Sequence, residues 1–284
     1  MTGIDGKILD KFIVDALFED VREGDHTSLA CVPKDTVKKA KLLVKDNGVI
    51  AGVEFAVLVF KKLDPSCKIE IYIEDGTEVK YGDIAFEIEA NAQALLKGER
   101  LVLNTMQRMS GIATMSSRFA VEVEDLPVKI LDTRKTTPLI RFMEKWAVRI
   151  GGCTNYRDGL YDWIMIKDNH VDACGSLTKA IQKVHQYLKE NHLDLGITVE
   201  VRNLVELHEV LETGGITRIM LDNFDLPLLK EAVATVNSRF ETEASGGVTL
   251  QTVRKIAETG VNFVSVGALT HSAGSLDLSL KIQK

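Results

Sequence analysis

The sequence predicts an α/β protein in which an α+β region is followed by a series of strand–helix units. Six short apolar runs in the second half each end on charged or small polar residues, and short apolar runs of this kind are typical of buried parallel strands. The last four strand ends, at Glu200, Asp222, Ser245 and Gly267, follow one another about every 22 residues. That spacing accommodates one short strand, one three-turn helix and two short loops.

The second half therefore has a predicted order of elements. The six strands are expected at residues 128–131, 163–166, 197–199, 218–221, 240–243 and 263–266. Helical segments fit between the later ones, at residues 204–211, 226–236 and 250–259. Repeated strand–helix units imply parallel strands with right-handed crossovers. The periodicity does not separate a closed barrel from an open doubly wound sheet.

The first hundred residues have a different pattern. A helical spacing of apolar residues at 8–17 is followed by a polar turn at 24–28 and by strand-like alternation at 40–44, 68–73 and 84–88. Glycines between residues 75 and 83 indicate turns in a small antiparallel sheet. A helix is expected from about 91 to 118. We expect an N-terminal domain at 1–115, a C-terminal domain at 116–274, and a tail at 275–284 that joins the first domain.

Composition limits the possible functions. The chain has 284 residues and a net charge of −6, which does not favour binding to nucleic acid. No apolar run approaches the roughly 20 residues of a membrane span, and the N-terminus lacks the apolar core of a signal peptide. The four cysteines form no C-x-x-C pair, so we expect no zinc site and a cytoplasmic protein with reduced thiols. Cys153 is interpreted as a small packing residue.

Basic residues are concentrated in the segment 126–167, which carries eight basic and four acidic side chains. Three of the basic residues, spaced four apart, are interpreted as a solvated helix face: Arg141, Lys145 and Arg149. Three others directly follow predicted strands and indicate an anion site: Arg134, Lys135 and Lys167. Arginine suits carboxylates, and lysine acts as a point charge for phosphates.

Small residues and carboxylates follow the remaining strands. Ser245, Gly246 and Gly247 precede a helix, and Gly267 begins a similar loop, which together predict a phosphate site. Glu200 and Asp222 add carboxylates at the same edge. Carboxylates beside phosphates generally require a cation or sugar hydroxyls between them, and Mg²⁺ prefers such oxygen ligands. The residues alone thus indicate a phosphorylated sugar or nucleotide, Mg²⁺, and a second anion.

A series of ordered motifs resembles the quinolinate phosphoribosyltransferase family, also called nicotinate-nucleotide pyrophosphorylase (carboxylating). The motifs of the second half are Asp132-Thr-Arg-Lys-Thr-Thr-Pro138, Glu144-Lys145, Gly151-Gly152, Asn155-Tyr-Arg-Asp-Gly-Leu-Tyr161, Lys167-Asp-Asn-His170, Leu221-Asp-Asn223, Ala244-Ser-Gly-Gly247 and Val266-Gly-Ala-Leu-Thr-His-Ser272. Gly24–Ser28 and the segment from Glu99 to Thr114 extend the resemblance across nearly the whole chain.

The resemblance implies a fold and a reaction. The fold would be an N-terminal α/β sandwich followed by an incomplete C-terminal β/α barrel with fewer than eight strands. The reaction would convert quinolinate and phosphoribosyl pyrophosphate, with Mg²⁺, into nicotinate mononucleotide, pyrophosphate and CO₂ in NAD biosynthesis. Family members are homodimers or assemblies of dimers, such as hexamers, in which the active site is shared between subunits.

The resemblance also implies roles for individual residues. Catalytic roles fall on Lys135, Glu200 and Asp222, and the two carboxylates would face the ribose and Mg²⁺, directly or through substrate and water. Arg100 would reach a quinolinate carboxylate in the partner's site. Quinolinate would further meet Arg134, Lys135, Tyr156, Arg157 and Lys167. The ribose 5′-phosphate would meet Ser245, Gly246, Gly247 and Gly267, with His271 as a further motif position.

Two positions depart from the family pattern. The family often has histidine where this chain has Tyr156, and many members have glutamate where this chain has Thr198. Tyrosine keeps a hydrogen-bonding group but loses a possible positive charge. Two other functions remain open: a relative associated with molybdenum transport loci, and a non-catalytic binding protein on the same barrel. The intact Lys167–His170 and Leu221–Asn223 motifs favour the enzyme over the former. The retained anion-binding cations count against the latter.

Overall fold

The structure, a computed structural model, describes residues 4–283. Its elements in chain order are α1 (Gly6–Val21), α2 (His26–Cys31), β1 (Val37–Val44), β2 (Gly48–Val49), α3 (Val53–Leu63), β3 (Lys68–Ile71), β4 (Glu78–Val79), β5 (Ile84–Asn91), α4 (Ala92–Val121), β6 (Lys129–Leu131), α5 (Arg141–Ile150), β7 (Ile164–Ile166), α6 (Asp168–Cys174), α7 (Leu177–Glu190), β8 (Ile197–Val201), α8 (Leu204–Thr213), β9 (Arg218–Asp222), α9 (Leu226–Val236), β10 (Glu241–Ser245), α10 (Leu250–Ala257), β11 (Phe263–Ser265), α11 (Ala268–His271) and β12 (Leu278–Ile282).

Contacts divide the chain into two compact units. The first runs to Ser117 and also includes 142–152 and the segment from Ala273 to the C-terminus. The second comprises 118–141 and 153–272. The division predicted from sequence did not include the segment 142–152, which carries most of α5, in the first unit.

The first unit contains a four-stranded antiparallel sheet in the order β12-β1-β5-β3. Alternate residues of β1, namely Ala40, Leu42 and Val44, are buried, which is the period expected of a strand with one face on a core. The tail strand β12 pairs with β1 along Ala40 to Val44. The tail is therefore part of this sheet.

Two local expectations for the first unit were wrong. The segment predicted as a polar turn instead starts α2, because the Asp25 carboxylate accepts a hydrogen bond from the Ser28 backbone N–H at 3.0 Å and caps the helix. Lys145, expected on a solvated helix face, is 1% exposed. Its neighbour Glu144 is equally buried and accepts two hydrogen bonds from Arg108, so this turn of α5 faces the interior of its unit.

The second unit contains a six-stranded parallel sheet in the order β6-β11-β10-β9-β8-β7. The strands after β6 follow one another in chain order, and the last of them, β11, pairs with the first, β6. In a barrel the first and last strands pair with each other, whereas in a doubly wound sheet they do not. The strand order is therefore that of a barrel. A parallel bridge between Leu131 and Thr154 adds a short segment beside β6. The predicted fold class, including the incomplete β/α barrel, is confirmed.

The strand alternation places polar residues on one face of this sheet. In β8 and β9 the apolar residues Val199, Val201, Ile219 and Leu221 are fully buried, while the alternate residues include Glu200 and Asp222. Side chains at successive strand positions point to opposite faces. The polar positions of neighbouring strands therefore converge on the interior of the barrel and its carboxyl-terminal end. Within residues 4–283, no helix is long and apolar enough to cross a membrane.

Candidate active site

A cavity of about 1020 Å³ lies at the carboxyl ends of the parallel strands. All of the residues that line it belong to the second unit. They include every position predicted for the site except Arg100: Arg134, Lys135, Tyr156, Arg157, Lys167, Glu200, Asp222, Ser245, Gly246, Gly247, Gly267 and His271. Residues separated by more than a hundred positions in the sequence thus meet in one concave polar surface.

Two arginines form a cationic wall of this cavity. The Nε of Arg134 is buried without a hydrogen-bond partner among the described atoms, although the residue lines the cavity. Burial lowers the pKa of Arg157, and the positive charge of Arg134 lowers it further. The two arginines thus place two positive charges close together, beside a buried N–H group of Arg134 that has no acceptor. This arrangement is expected of a site that binds an anionic ligand.

Two lysines, Lys135 and Lys167, also line the cavity and add positive charge to it. Lys135 is exposed in the loop after β6, and its backbone carbonyl accepts a hydrogen bond from Thr270 Oγ1 at 2.8 Å, which ties this loop to α11. Lys167 follows β7, and its Nζ lies 3.2 Å from Glu200 Oε2. The lysine side chain is 43% exposed and the glutamate side chain only 10%, so the cavity presents more of the cation than of the carboxylate.

The two predicted carboxylates lie within strands and not after them. Glu200 belongs to β8 and Asp222 is the last residue of β9. Asp222 Oδ2 accepts a hydrogen bond from Asn223 Nδ2 at 2.7 Å. Asn223 has a left-handed backbone with φ of +57° and also lines the cavity. It was not among the predicted site residues, although its position directly after a strand end could have indicated that it belongs to the site.

The glycine loop after β10 approaches Asn223 closely. Gly246 has φ of +101°, and a Cβ placed there would lie 2.1 Å from Asn223 Oδ1, so only glycine fits. Gly247 also has positive φ, at +57°, and has no atom within 4 Å of an added Cβ. A Cβ added at Gly267 would lie 3.0 Å from both His271 Nε2 and Lys135 Cδ. The two glycine loops therefore open backbone surface to the cavity from neighbouring strands.

A buried polar cluster underlies the cavity. Arg218 pairs with Glu243 at 3.2 Å, and its guanidinium carbon lies 3.7 Å from the centre of the Phe263 ring. Glu243 is fully buried and also accepts a hydrogen bond from Ser265 Oγ. Burial raises the pKa of Glu243. Arg218, Glu243 and Ser265 lie inside the predicted strand ranges, where no local sequence signal distinguishes a buried ion pair from an ordinary strand residue.

Tyr156 joins that cluster to the cavity. Its backbone N–H donates to Asp132 Oδ1 at 2.8 Å, and the same carboxylate accepts from Asn155 Nδ2 at 2.6 Å. The phenolic oxygen lies 2.6 Å from Thr198 Oγ1, and burial raises the Tyr156 pKa. Tyr156 is therefore a neutral phenol fixed at both its backbone and its side chain.

Arg100 lies elsewhere in the structure. It is on α4, in the first unit, and its guanidinium pairs with Glu99 at 2.9 Å. Its side chain is 62% exposed and does not line the cavity. The role that the resemblance implies for Arg100 requires a second subunit.

Two carboxylates of the cavity are the candidate ligands for a metal ion. Within residues 4–283, no group of three or more His, Cys, Asp or Glu side chains is placed to hold an ion. Glu200 and Asp222 are two carboxylates on neighbouring strands in a cavity with ample room. This donor set fits an Mg²⁺ that arrives with phosphate oxygens of a substrate, and not one bound by protein alone.

The cavity at the carboxyl-terminal end of this parallel-stranded barrel combines arginines, lysines, two carboxylates and two glycine loops. These features are typical of β/α-barrel enzymes that act on anionic, phosphorylated substrates. Sequence models of the quinolinate phosphoribosyl transferase C-terminal and N-terminal domains match residues 112–281 and 25–110. The chain belongs to the quinolinate phosphoribosyltransferase family.

Individual relatives agree with this assignment. The chain is 49% identical over 282 residues to quinolinate phosphoribosyltransferase [decarboxylating] 2a, mitochondrial, of Nicotiana tabacum, covering 94% of this chain and 80% of the relative. It is 40% identical to the probable nicotinate-nucleotide pyrophosphorylase [carboxylating] of Bacillus subtilis (strain 168), covering 97% and 92%. The crystal structure of NadC from Streptococcus pyogenes superposes with a TM-score of 0.93 at 35% identity over the whole of both chains.

Proposed function

We propose that this protein transfers the phosphoribosyl group of phosphoribosyl pyrophosphate to quinolinate and releases CO₂, giving nicotinate mononucleotide and pyrophosphate. The observation that carries the proposal is that one cavity holds two kinds of anion-binding group. Arg134 and Arg157 both line it, and the positive charge of Arg134 lowers the pKa of Arg157. The glycine loops at Gly246 and Gly267 follow the neighbouring strands β10 and β11, and Lys135 lies beside Gly267. A dicarboxylate and a sugar phosphate are the two ligands that suit these groups.

The chemistry requires positioning more than a nucleophilic side chain. The quinolinate ring nitrogen attacks C1 of the ribose, the bond from C1 to the pyrophosphate oxygen breaks, and pyrophosphate leaves with that electron pair. Fixed arginines grip the two carboxylates so that the nitrogen is aimed at C1. Positive charge develops on the sugar as pyrophosphate departs, and the carboxylates of Glu200 and Asp222 would stabilise that charge.

Decarboxylation follows from the first step. Once ribosylated, the ring is a pyridinium that can hold the electron pair left at C2 when the adjacent carboxylate departs as CO₂. A proton from solvent or from a cavity donor then completes nicotinate mononucleotide. Lys135 and Lys167 would retain the remaining anionic groups through this step.

Mg²⁺ belongs to this proposal as a companion of the substrate. Glu200 and Asp222 would hold it directly or through water, and the ion would supply charge neutralisation for the departing pyrophosphate. Turnover should therefore stop in excess EDTA and return on addition of Mg²⁺.

We also propose a homodimer, with further assembly to a hexamer open, in which Arg100 completes the partner's site. Support comes from the exposed position of Arg100 outside the cavity and from the family resemblance. A cytoplasmic location is proposed as well, because all four cysteines are free, as expected in a reducing compartment. The Nicotiana tabacum relative is titled mitochondrial, and other plant relatives are titled chloroplastic.

The test is direct. Purified protein incubated with quinolinate, phosphoribosyl pyrophosphate and Mg²⁺ should release CO₂ and nicotinate mononucleotide in equal amounts. Folded protein that releases neither product would refute the proposed reaction. Tight quinolinate binding without turnover would instead support a non-catalytic binding protein on this barrel.

A further inference from the structure

Two departures from the family pattern meet in one hydrogen bond. Tyr156 stands where the family often has histidine, and Thr198 stands where many members have glutamate. In the structure the Tyr156 hydroxyl lies 2.6 Å from Thr198 Oγ1, although the residues are 42 positions apart. Thr198 is fully buried, so its partner's hydroxyl points into the barrel and away from solvent.

Trp163 and Glu243 are polar neighbours of this contact. Trp163 Nε1 can only donate, and it does so to Thr198 Oγ1 at 2.9 Å. Burial raises the pKa of the Tyr156 phenol, and the negative charge of the nearby Glu243 raises it further. The Tyr156 hydroxyl that contacts Thr198 is therefore neutral, and its partner is a buried protein group.

This arrangement decides what a ligand meets at position 156. The hydroxyl is engaged by Thr198, which is fully buried. Yet Tyr156 lines the cavity, so the part that it presents there is the aromatic ring. An aromatic wall suits a planar pyridine ring, whereas a protonated histidine would suit a carboxylate.

The same contact fixes the neighbouring arginine. Asp132 anchors the Tyr156 backbone N–H at 2.8 Å, and Thr198 anchors the far end of the side chain. Arg157 follows directly and donates from Nη1 to the Trp163 carbonyl at 3.3 Å. Trp163 is itself bonded to Thr198, so Thr198 holds both supports of Arg157.

We propose that Tyr156 and Thr198 form one positioning pair, in which the buried hydroxyl contact holds the Tyr156 ring and Arg157 as the wall that receives the pyridine dicarboxylate. The proposal rests on the proposed function and identifies how this chain replaces a histidine and a glutamate together. Neither hydroxyl contacts the substrate. Thr198 acts on quinolinate through its neighbours alone.

Isosteric variants test the pair. Tyr156→Phe and Thr198→Val each remove one hydroxyl, and each should raise the KM for quinolinate by about tenfold, the scale of one hydrogen bond. The double variant should be no worse than Thr198→Val alone, because Thr198→Val already removes both the contact with Tyr156 and the bond from Trp163. The KM for phosphoribosyl pyrophosphate should stay within about twofold. Tyr187→Phe, which removes a hydroxyl from the exposed side chain of α7, is the matched control.

Exchange of the pair for the family residues adds a rescue experiment. Tyr156→His and Thr198→Glu should each raise the KM for quinolinate, since each leaves a polar or charged group without its partner. The combination should recover quinolinate affinity relative to both single variants. Urea unfolding of every variant shows whether the barrel is still folded.

Failure of the positioning pair and failure of the proposed reaction would give different results. Wild-type quinolinate affinity in Thr198→Val would overturn the positioning pair while leaving the reaction intact. Additive effects of Tyr156→Phe and Thr198→Val would do the same, because they would mean that the two hydroxyls act independently and not as a pair. Wild-type protein that neither binds nor converts quinolinate would refute the proposed function and the pair with it.

Discussion

Lys167 and Glu200 form an ion pair inside the candidate active site, with 3.2 Å between Nζ and Oε2. They lie at the carboxyl ends of the adjacent strands β7 and β8, which pair through Ile166 and Val199. Lys167 thus neutralises Glu200. Anionic substrates compete for Lys167, and we expect their binding to free the Glu200 carboxylate for the positive charge that develops on the ribose.

Glu200→Gln should lower kcat by about 10²-fold, because the variant keeps the size of the side chain but loses the charge that stabilises the transition state. The change should leave the fold intact. Glu206→Gln, at a surface pair with Arg202, is the control and should retain wild-type kcat. Steady-state assays with both substrates saturating measure the difference. A kcat equal to that of wild type would remove Glu200 from the catalytic step.

Gly247→Ala should raise the KM for phosphoribosyl pyrophosphate by about tenfold, or about 1.4 kcal/mol of binding. The added methyl meets no protein atom within 4 Å, so it causes no clash within the protein and should act on a phosphate bound at this loop. Gly82→Ala is the control, since Gly82 also has positive φ and open space but lies in the first unit. Both variants place a side chain at a positive φ, which is +57° at Gly247 and +97° at Gly82. Equal KM values in the two would contradict the phosphate site.

Arg218→Met should destabilise the protein by about 3–5 kcal/mol, because it leaves the Glu243 carboxylate buried without its cation. Burial already raises the Glu243 pKa, and loss of the cation raises it further. A raised pKa favours the folded state at low pH, so the destabilisation should be smallest near pH 5 and grow toward pH 8. Urea unfolding at both pH values measures it, and adding Glu243→Leu should reverse part of the loss. Arg254→Met, at an exposed pair with Asp125, should change little.

Cys153 should resist alkylation in the folded protein. Burial, with a contribution from the Asp132 charge, raises the thiol pKa from 9.0 to about 12, which lowers the thiolate fraction by about 10³-fold. Iodoacetamide at pH 8 should label the exposed Cys31 first, as read by peptide mass spectrometry. All four cysteines should react in urea. Labelling of Cys153 at the rate of Cys31 would contradict the burial of this loop.

Arg100→Ala and Lys135→Ala should each be inactive alone and should regain partial activity when mixed under conditions of subunit exchange. The reason is that a mixed dimer would contain one site with both residues intact. Size-exclusion chromatography of differently tagged subunits verifies the exchange. Absence of recovery in verified mixed dimers would exclude a site shared through Arg100.

Much of the site could be predicted because its residues are tied to local signals. Short apolar runs specify buried strands, and in a barrel the residues at their carboxyl ends must share one rim. The positions of Lys167, Ser245 and Gly267 followed from that rule alone. Glu200 was expected after its strand but lies within β8, since pairing with β9 extends the strand beyond the predicted run at 197–199 to Val201.

Contacts between distant segments could not be predicted in this way. Hydrophobic periodicity tells which face of an element is buried and not which other element covers it. Lys145 looked like a surface residue by its spacing but is buried, and Thr198 looked like a plain substitution although it bonds Tyr156. Both depend on packing partners from other parts of the chain.

By itself, the sequence determined the strand–helix order, the residues at the strand ends and the family motifs, because these depend on local chemistry along the chain. Only the tertiary structure decided that β11 pairs with β6, that Lys167 neutralises Glu200, and that the Tyr156 hydroxyl turns inward to Thr198. The physical reason is that strand pairing and buried hydrogen bonds are set by residues brought together from distant positions. Their register depends on the whole packed barrel.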